Sequence, residues 1–398
     1  MSPVNAALLP QTAVNVDLSA LTHNLGELRR KTAGTAKIMA VIKADAYGHG
    51  AVAVARAILE QGVSFLCVAR VSEAVELRDA GIDAPILLFG DVLPCQVAYM
   101  LHNGIRATVT SLVTAQVISR EAIKCGGTIK VHIKVDTGMG RLGILPSALT
   151  VTVTPPVDGH GPAEEEINSI SQLKGLAVEG IYTHFANADS QDKTHSQGQI
   201  DLFSNLLERL EARDISPSLR HAANSAAILE LPMAYFNMVR AGIALYGLWP
   251  SHEVDHDIAN LKPVMSISST LIHLKKVPRN FGVSYGSTHI TPGETLIATV
   301  PIGYADGYNR LLSSKGHMIV KGIKVPVVGR VCMDFTMIDV GEVPDVQVGD
   351  EVTILGCQGD VSVSADDIAE LCNTINYEVV ASLTRRMPIK YTHGKESI

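Results

Sequence analysis

The sequence predicts an α/β protein, an N-terminal (β/α)8 TIM-type barrel followed by a mainly β C-terminal domain. Three observations predict it. Short β-branched runs alternate with helix-period stretches between about residues 38 and 245, and eight such runs can be counted. Beyond Trp249 the texture changes to strand-like segments punctuated by Gly and Pro. At 398 residues the chain also exceeds the size at which one core usually stops growing, so two domains are expected, 1–250 for the barrel and 251–398 for the β region.

Taken in order, DLSALTHNLGELRR predicts a helix capped by Asp17, with Leu18, Leu21, Leu25 and Leu28 on one face. The eight expected strands are Ile38 to Lys43, Phe65 to Ala69, Ile86 to Phe89, Arg106 to Val109, Lys130 to Val135, Val178 to His184, Leu219 to Ala223 and Met238 to Arg240. HSQGQIDLFSNLLERLEARD reads as a connecting helix, because Ile200, Phe203, Leu206, Leu207 and Leu210 share a face. Residues Thr152 to Ser171 are rich in Pro, Gly and acid and interrupt the βα rhythm, so they read as a surface insertion. In the β region, ETLIATVPIGY, MIVKGIKVPVVGRVCMDFTMIDV and EVTIL read as strands, and SADDIAELCNTINYEVV as one helix capped by Ser364.

Composition narrows the function classes. A formal net charge of -7 offers no broad basic field for a phosphate backbone, so nucleic acid is not expected as a partner. Six cysteines spread without a C-x-x-C pair argue against a zinc site or disulfide framework and for a cytoplasmic protein. No signal peptide or membrane span is read, and no membrane or metal is expected.

Barrel enzymes place reactive groups at the C-terminal ends of their strands, where Lys43 sits in IMAVIKADAYGHG. A lysine withdrawn there from water can have a lowered pKa and form a Schiff base with an aldehyde cofactor, although position alone fits a strand-end surface lysine equally. HAANSAA and MVRAGIALYG end strands seven and eight, where barrels often build a phosphate site: Ser225 offers a hydroxyl, Gly242 and Ile243 backbone N–H groups. Read singly, these are also a capped turn and a packing glycine.

The segments AVIKADAYGHG, HIKVDTGMGRLG, YTHFANAD, HAANSAA, VRAGIALYG, VSYG, PIGYADGY, GRVCMDFTMIDV and NTINYE are collinear across nearly the whole chain. On them the chain resembles the alanine racemases, the barrel-fold pyridoxal-phosphate racemases of amino acids. The resemblance implies pyridoxal 5'-phosphate carried on Lys43, with Tyr47, Asn224, Ser225, Gly242, Ile243 and Tyr377 among the cofactor-binding residues. It implies two bases, Lys43 for the D-enantiomer and Tyr285 for the L-enantiomer, because racemisation removes a proton from one face and returns it to the other. Arg240 is expected at the pyridine nitrogen, where a group that only donates leaves that nitrogen unprotonated, and His184 is expected to link Tyr285 to Arg240.

Arg141 resembles the arginine near the substrate carboxylate, and Lys134 a lysine often carbamylated to orient it; without the resemblance Lys134 reads as the ion-pair partner of Asp136. Met333 and Asp334 match a segment lining the substrate pocket, and Tyr304 with Tyr377 a narrow gate. Tyr285, Tyr304 and Met333 reach the other subunit's barrel in that family, which implies a homodimer with shared sites. The implied activity is interconversion of L- and D-alanine, supplying D-alanine for peptidoglycan. A serine or broader-specificity racemase, an amino-acid decarboxylase for which Cys332 invites comparison, and a non-catalytic pyridoxal-phosphate carrier stand as alternatives.

Overall fold

The computed structural model describes residues 12–146, 149, 162–393 and 396–397. They form two compact units. One comprises Thr22–Ala46 and Ala51–Leu261; the other comprises Tyr47–Gly50 with the described residues before Thr22 and after Leu261. The division thus falls at 261/262, beyond the expected 250/251. The described N-terminal residues join the β unit, because strand β1 (Ala13–Asp17) pairs antiparallel with Met265–Thr270 and parallel with Ile389–His393.

The helix Leu18–Thr32 starts where expected. Asp17 Oδ1 accepts the N–H of Ser19 at 2.8 Å and of Ala20 at 3.2 Å, and Leu18, Leu21, Leu25 and Leu28 are buried. The eight barrel strands are β2 (Lys37–Val41), β3 (Phe65–Val68), β4 (Ile86–Leu88), β5 (Ile105–Val109), β6 (Ile129–Lys134), β7 (Leu176–Tyr182), β8 (Leu219–His221) and β9 (Met238–Ala241). All neighbours run parallel, and β9 returns to β2 with Lys37 opposite Met238 and Met39 opposite Arg240, so the sheet is closed. Buried Val, Ile and Leu residues make most strands near-continuous apolar runs, as a parallel sheet covered on both faces requires. The helix Thr194–Glu211 buries the predicted Ile200, Phe203, Leu206, Leu207 and Leu210.

Two expectations are corrected. Residues Ala163–Ser171 are an α-helix of the barrel with Ile167 and Ile170 buried, and not surface insertion; residues 152–161 of that segment lie outside the described residues. Its acids misled the pattern because they are buried in pairs: Glu164 takes Arg209 Nε at 2.6 Å and Glu166 takes the N–H of Leu112 at 2.7 Å. The single helix expected after Ser364 is two, Ala365–Cys372 and Asn376–Ala381, divided at Asn373, whose φ of 53° is left-handed. Ser364 does cap the first, exchanging bonds with Asp367 at 3.0 and 2.8 Å.

The β unit is built, among the described residues, on an eight-stranded sheet holding β1, Met265–Thr270, Glu351–Gln358 and His317–Val320 side by side with their neighbours. A smaller sheet joins His273–Val277, Thr295–Val300 and Thr336–Asp339 over a core of Val277, Val283, Ile297 and Val328.

The first barrel strand stops at Val41, so Lys43 opens the next segment, Lys43–Gly48, instead of ending a strand. Ala44, Asp45, Ala46 and Tyr47 have φ of 53, 53, 54 and 56°, a turn of left-handed helix made of non-glycine residues. Ala46 N–H donates to Ile42 O at 2.9 Å. Each such residue costs roughly 1–2 kcal/mol, so the turn persists only where its surroundings hold it. Glu73 supplies one hold, accepting the Ala44 N–H at 2.6 Å while also taking those of Ala69 and Arg70 at 2.7 and 2.8 Å. Asp45 supplies another by accepting the Ala51 N–H at 2.7 Å. Ala44→Gly is expected to raise the stability by roughly 0.5–1 kcal/mol, the relieved strain less the entropy of glycine, whereas Ala44→Val lowers it. A denaturant midpoint that falls for the glycine variant would refute the strain.

Candidate active site

The chemistry-bearing side chains of the barrel unit gather at the C-terminal ends of its strands. Lys43 follows β2, Lys134 ends β6, His184 follows β7, Ser225 follows β8 and Arg240 lies near the end of β9. Burial lowers the pKa of Lys43, and the nearby Arg141 guanidinium adds to it against weaker opposition from Glu73, so more of its amine is neutral and able to act as base or nucleophile.

Arg240 is 2% exposed. Its Nη1 donates to His221 Nδ1 at 2.9 Å; Nη2 reaches Thr183 O at 2.8, Ala222 O at 2.7 and His184 Nδ1 at 3.1 Å. Every one of these partners is neutral. Burial lowers the guanidinium to about 10, which leaves it protonated at neutral pH. Because arginine only donates, His184 accepts at Nδ1, and its neutral ring carries hydrogen on Nε2 as a further donor. Burial, then the charge of Arg240, holds His184 well below the ordinary histidine range, in keeping with that neutral form. The His184–Arg240 contact expected from sequence is therefore present. The sequence reading missed His221, whose HAANSAA context pointed only to the phosphate end.

Lys134 and Asp136 do not pair. Asp136 Oδ1 accepts the N–H groups of Gly138, Met139 and Gly140 at 3.0, 2.8 and 3.1 Å, and Oδ2 that of Arg141 at 2.9 Å. Burial raises the Asp136 carboxyl, but these four donors outweigh it and hold it below the ordinary value. The loop then folds back on β6 through Ile144 N–H to Lys134 O at 2.9 Å. Gly143, at φ 128°, admits no side chain there: a Cβ would lie 2.8 Å from Asp136 N and 2.9 Å from Lys134 O. Asp136 thus fixes the backbone that presents Arg141, whose side chain remains exposed. Lys134 is buried, donates to Val135 O at 3.0 Å and lies 5.1 Å from the centre of the Tyr182 ring. Burial first, then Arg240, lowers its amine to about 7.

At the phosphate end Ser225 Oγ accepts the N–H groups of Gly242 at 3.0 Å and Ala244 at 3.2 Å. The Gly242 amide expected at a phosphate is thus engaged by Ser225 in this structure. The Ser225 O–H and the Ile243 N–H, which donates to no described residue, remain as donors. Asn224 Oδ1 caps the helix Ser225–Glu230 through Ala227 N–H at 3.0 Å, so its acceptor serves the fold.

In the β unit Tyr47 and Tyr377 have ring centres 6.2 Å apart. Gly48, φ 80°, leaves no room for a Cβ, which would fall 2.1 Å from Val380 O. Tyr285, Tyr304 and Met333 occupy neighbouring loops: Ser284 Oγ donates to Arg330 O at 2.7 Å, Tyr304 N–H to Cys332 O at 3.0 Å and Ala305 N–H to Met333 O at 3.1 Å. Their side chains are 72%, 42% and 53% exposed, with Phe335 beside them at 45%. Asp334 is held by Arg386 at 2.7 Å, which also reaches Asp306 at 3.4 Å.

Comparison with known proteins agrees with this geometry. The family description "Alanine racemase, N-terminal domain" matches residues 16–250, and "Alanine racemase, C-terminal domain" matches 264–391. An alanine racemase of Desulfosudis oleivorans is 50% identical over 382 residues, 96% of this chain and 97% of that protein. Among solved structures, an alanine racemase of Clostridium difficile 630 superposes with a TM-score of 0.91 at 38% identity, covering 98% of each chain. That from Bacillus anthracis with bound L-Ala-P does so at 0.88 and 37%, covering 98% of this chain and 97% of that one.

In the free-amine form Lys134 should make stability depend on pH. Its folded pKa, about 7, lies below the ordinary 10.5, so between these values the unfolded chain holds the extra proton and stability rises with pH. Below about 7 the full penalty is present. Lys134→Met is expected to flatten that rise in chemical denaturation between about pH 7 and 10; an unchanged slope would contradict the buried amine.

Proposed function

The chain belongs to the alanine racemase family, pyridoxal-phosphate-dependent isomerases of amino acids, and from that premise we propose that it interconverts L- and D-alanine by a two-base mechanism. The observation that carries the reading is Arg240: a buried guanidinium held by neutral partners, with its Nε donating to no described residue. A pyridine nitrogen is an acceptor that this donor suits. Lys43 supplies an amine for an aldehyde, and the Ser225 O–H and Ile243 N–H supply donors for a phosphate. Tyr47 and Tyr377 are the tyrosines that the resemblance adds to phosphate binding. The residues present therefore fit pyridoxal 5'-phosphate.

When bound, the coenzyme supplies an aldehyde for condensation with an amine and a conjugated ring that takes up electron density from the α-carbon. The chain supplies everything else. The Lys43 amine takes or returns the proton on one side of that carbon, and the Tyr285 phenol does so on the other. The His184 Nε2–H is the donor left to orient that tyrosine's oxygen, and Arg240 in turn fixes the His184 tautomer. Because arginine carries only donors and stays protonated, Arg240 would hold the pyridine nitrogen as an unprotonated acceptor, and a ring so held would be a weaker electron sink. Arg141 meets the substrate carboxylate as a planar donor, and the Met333 backbone amide approaches the same group. Asp334 lines this pocket, while Tyr304 with Tyr377 narrows the entrance to small substrates. Lys134, with its amine lowered to about 7, has a neutral fraction at neutral pH that can form an N–C bond to carbon dioxide with release of one proton to water; the resulting carbamate would orient Arg141 instead of repelling it.

The exposure of Tyr285, Tyr304 and Met333 on adjoining loops supports a head-to-tail homodimer in which the β unit, the second domain, completes the partner's site. Structures of relatives are described with bound L-Ala-P and with cycloserine, which supports a small amino-acid substrate. No helix among the described residues is long and apolar enough to cross a membrane. The six free cysteines support action in the reducing cytoplasm, where D-alanine would be made for peptidoglycan.

Purified protein loaded with pyridoxal phosphate is expected to interconvert L- and D-alanine, with serine slower and valine and lysine inert. Tyr285→Phe should lower the rate by roughly 10²–10⁴ while retaining coenzyme colour, because it removes one proton carrier and no binding group. Sedimentation should give twice the chain mass, and mass spectrometry of the native protein an adduct of carbon dioxide on Lys134. Coenzyme bound through Lys43 without turnover of any amino acid would favour a carrier and end this reading.

A further inference from the structure

From Arg240 a line of polar side chains that the proposed reaction does not use runs across the barrel interior, starting at His221, the last residue of β8. His221 is wholly buried on β8, and its Nε2 lies 2.9 Å from Nδ1 of His132, wholly buried on β6. His132 Nε2 lies 3.4 Å from Oε2 of Glu179 on β7. Glu179 also receives Arg106 Nε at 3.0 Å and Lys130 Nζ at 2.7 Å. Burial raises its carboxyl, but His132, Arg106 and Lys130 outweigh this and keep it ionised.

An arginine has no acceptor and a carboxylate has no donor, so the hydrogens along this line have a single arrangement. Arg240 donates to His221 Nδ1; His221 then carries hydrogen on Nε2 and donates to His132 Nδ1; His132 carries hydrogen on Nε2 and donates to Glu179. Burial lowers the pKa of both imidazoles, consistent with two neutral rings. Both rings are seated by shape. A Cβ on Gly180 would fall 2.5 Å from His132 Nδ1, so glycine makes the space that ring fills, and Tyr182 stacks on His221 at 4.7 Å and 6°.

We infer that Glu179 is a positioning residue of the active site: as the last acceptor of a one-way hydrogen-bond line through His132 and His221, it holds the Arg240 guanidinium in place. The inference rests on the role proposed above for Arg240. Without the carboxylate, the buried His132 N–H faces no acceptor, and the line loses the partner that makes its order complementary at both ends.

The test compares Glu179→Leu, which removes the acceptor at similar size, with Glu179→Gln, whose amide oxygen keeps one. Two readouts are taken on the coenzyme-loaded protein: kcat against KM for L-alanine, and the ring N–H proton and ¹⁵N signals of His132 and His221 without substrate. The leucine variant is expected to lose the protected His132 N–H signal, shift that of His221 and drop kcat about tenfold or more with little change in KM; glutamine should restore both to within about threefold. Should the leucine chain fail to fold, Gly180→Ala replaces it, pressing on the His132 ring without altering any charge, with the same expected losses. Wild-type kcat with unmoved His221 signals in the leucine or Gly180→Ala chain overturns the inference, as does a glutamine variant as impaired as leucine. Either outcome leaves an active wild type, whereas failure of the functional reading would leave none.

Discussion

One buried cation organises the barrel interior. Removing a guanidinium from water costs several kcal/mol unless it is well partnered, and the Arg240 Nη atoms meet two carbonyl oxygens and two imidazoles instead of a carboxylate. Its charge is therefore not neutralised at contact. It spreads to its surroundings where, after burial, it helps to keep His184 and His221 neutral and to lower the Lys134 amine to about 7. A contacting carboxylate would have relieved Arg240, but it would also have raised the tendency of these neighbours to protonate. Burial together with this one choice of residue accounts for the neutrality of the two histidines, and the choice itself sets the polarity of their hydrogen bonds.

The carboxylates around the strand ends serve the backbone. Asp136 gathers four N–H groups, Glu73 three, and Asp45 one, so their negative charge is absorbed in shaping loops. The basic side chains Lys43, Lys134, Arg141 and Arg240 thus share one mouth with little direct ion pairing.

The sequence made the barrel legible because parallel strands buried on both faces read as continuous apolar runs, and all eight fall where the pattern places them. The helix Ala163–Ser171 was hidden because Glu164 and Glu166 look solvent-seeking in a string of letters while Arg209 and the Leu112 N–H take them inward. β1 was missed because five residues carry too little period to announce a partner more than two hundred residues away. At the site, residue type and position pointed to Lys43, Ser225, Gly242 and Ile243, and the motif resemblance added His184 and Arg240. The competing uses of Gly242 and Asn224 were invisible, because whether an amide or a side-chain oxygen is already engaged depends on what folds against it. Lys134 and Asp136 alternate on a strand, which suggested a pair; the turn at Gly138–Arg141 claims the aspartate first.

The left-handed turn after Lys43 has a consequence for the order of assembly. Four L-residues do not settle into that conformation on local preference, and the acceptor that catches the first of them comes from Glu73, beyond the next strand. The turn therefore forms only after β2 and β3 have come together. A chain in which β2 and β3 have not yet paired has no Glu73 acceptor in place for Ala44, so the backbone that presents the lysine takes its shape together with that part of the sheet.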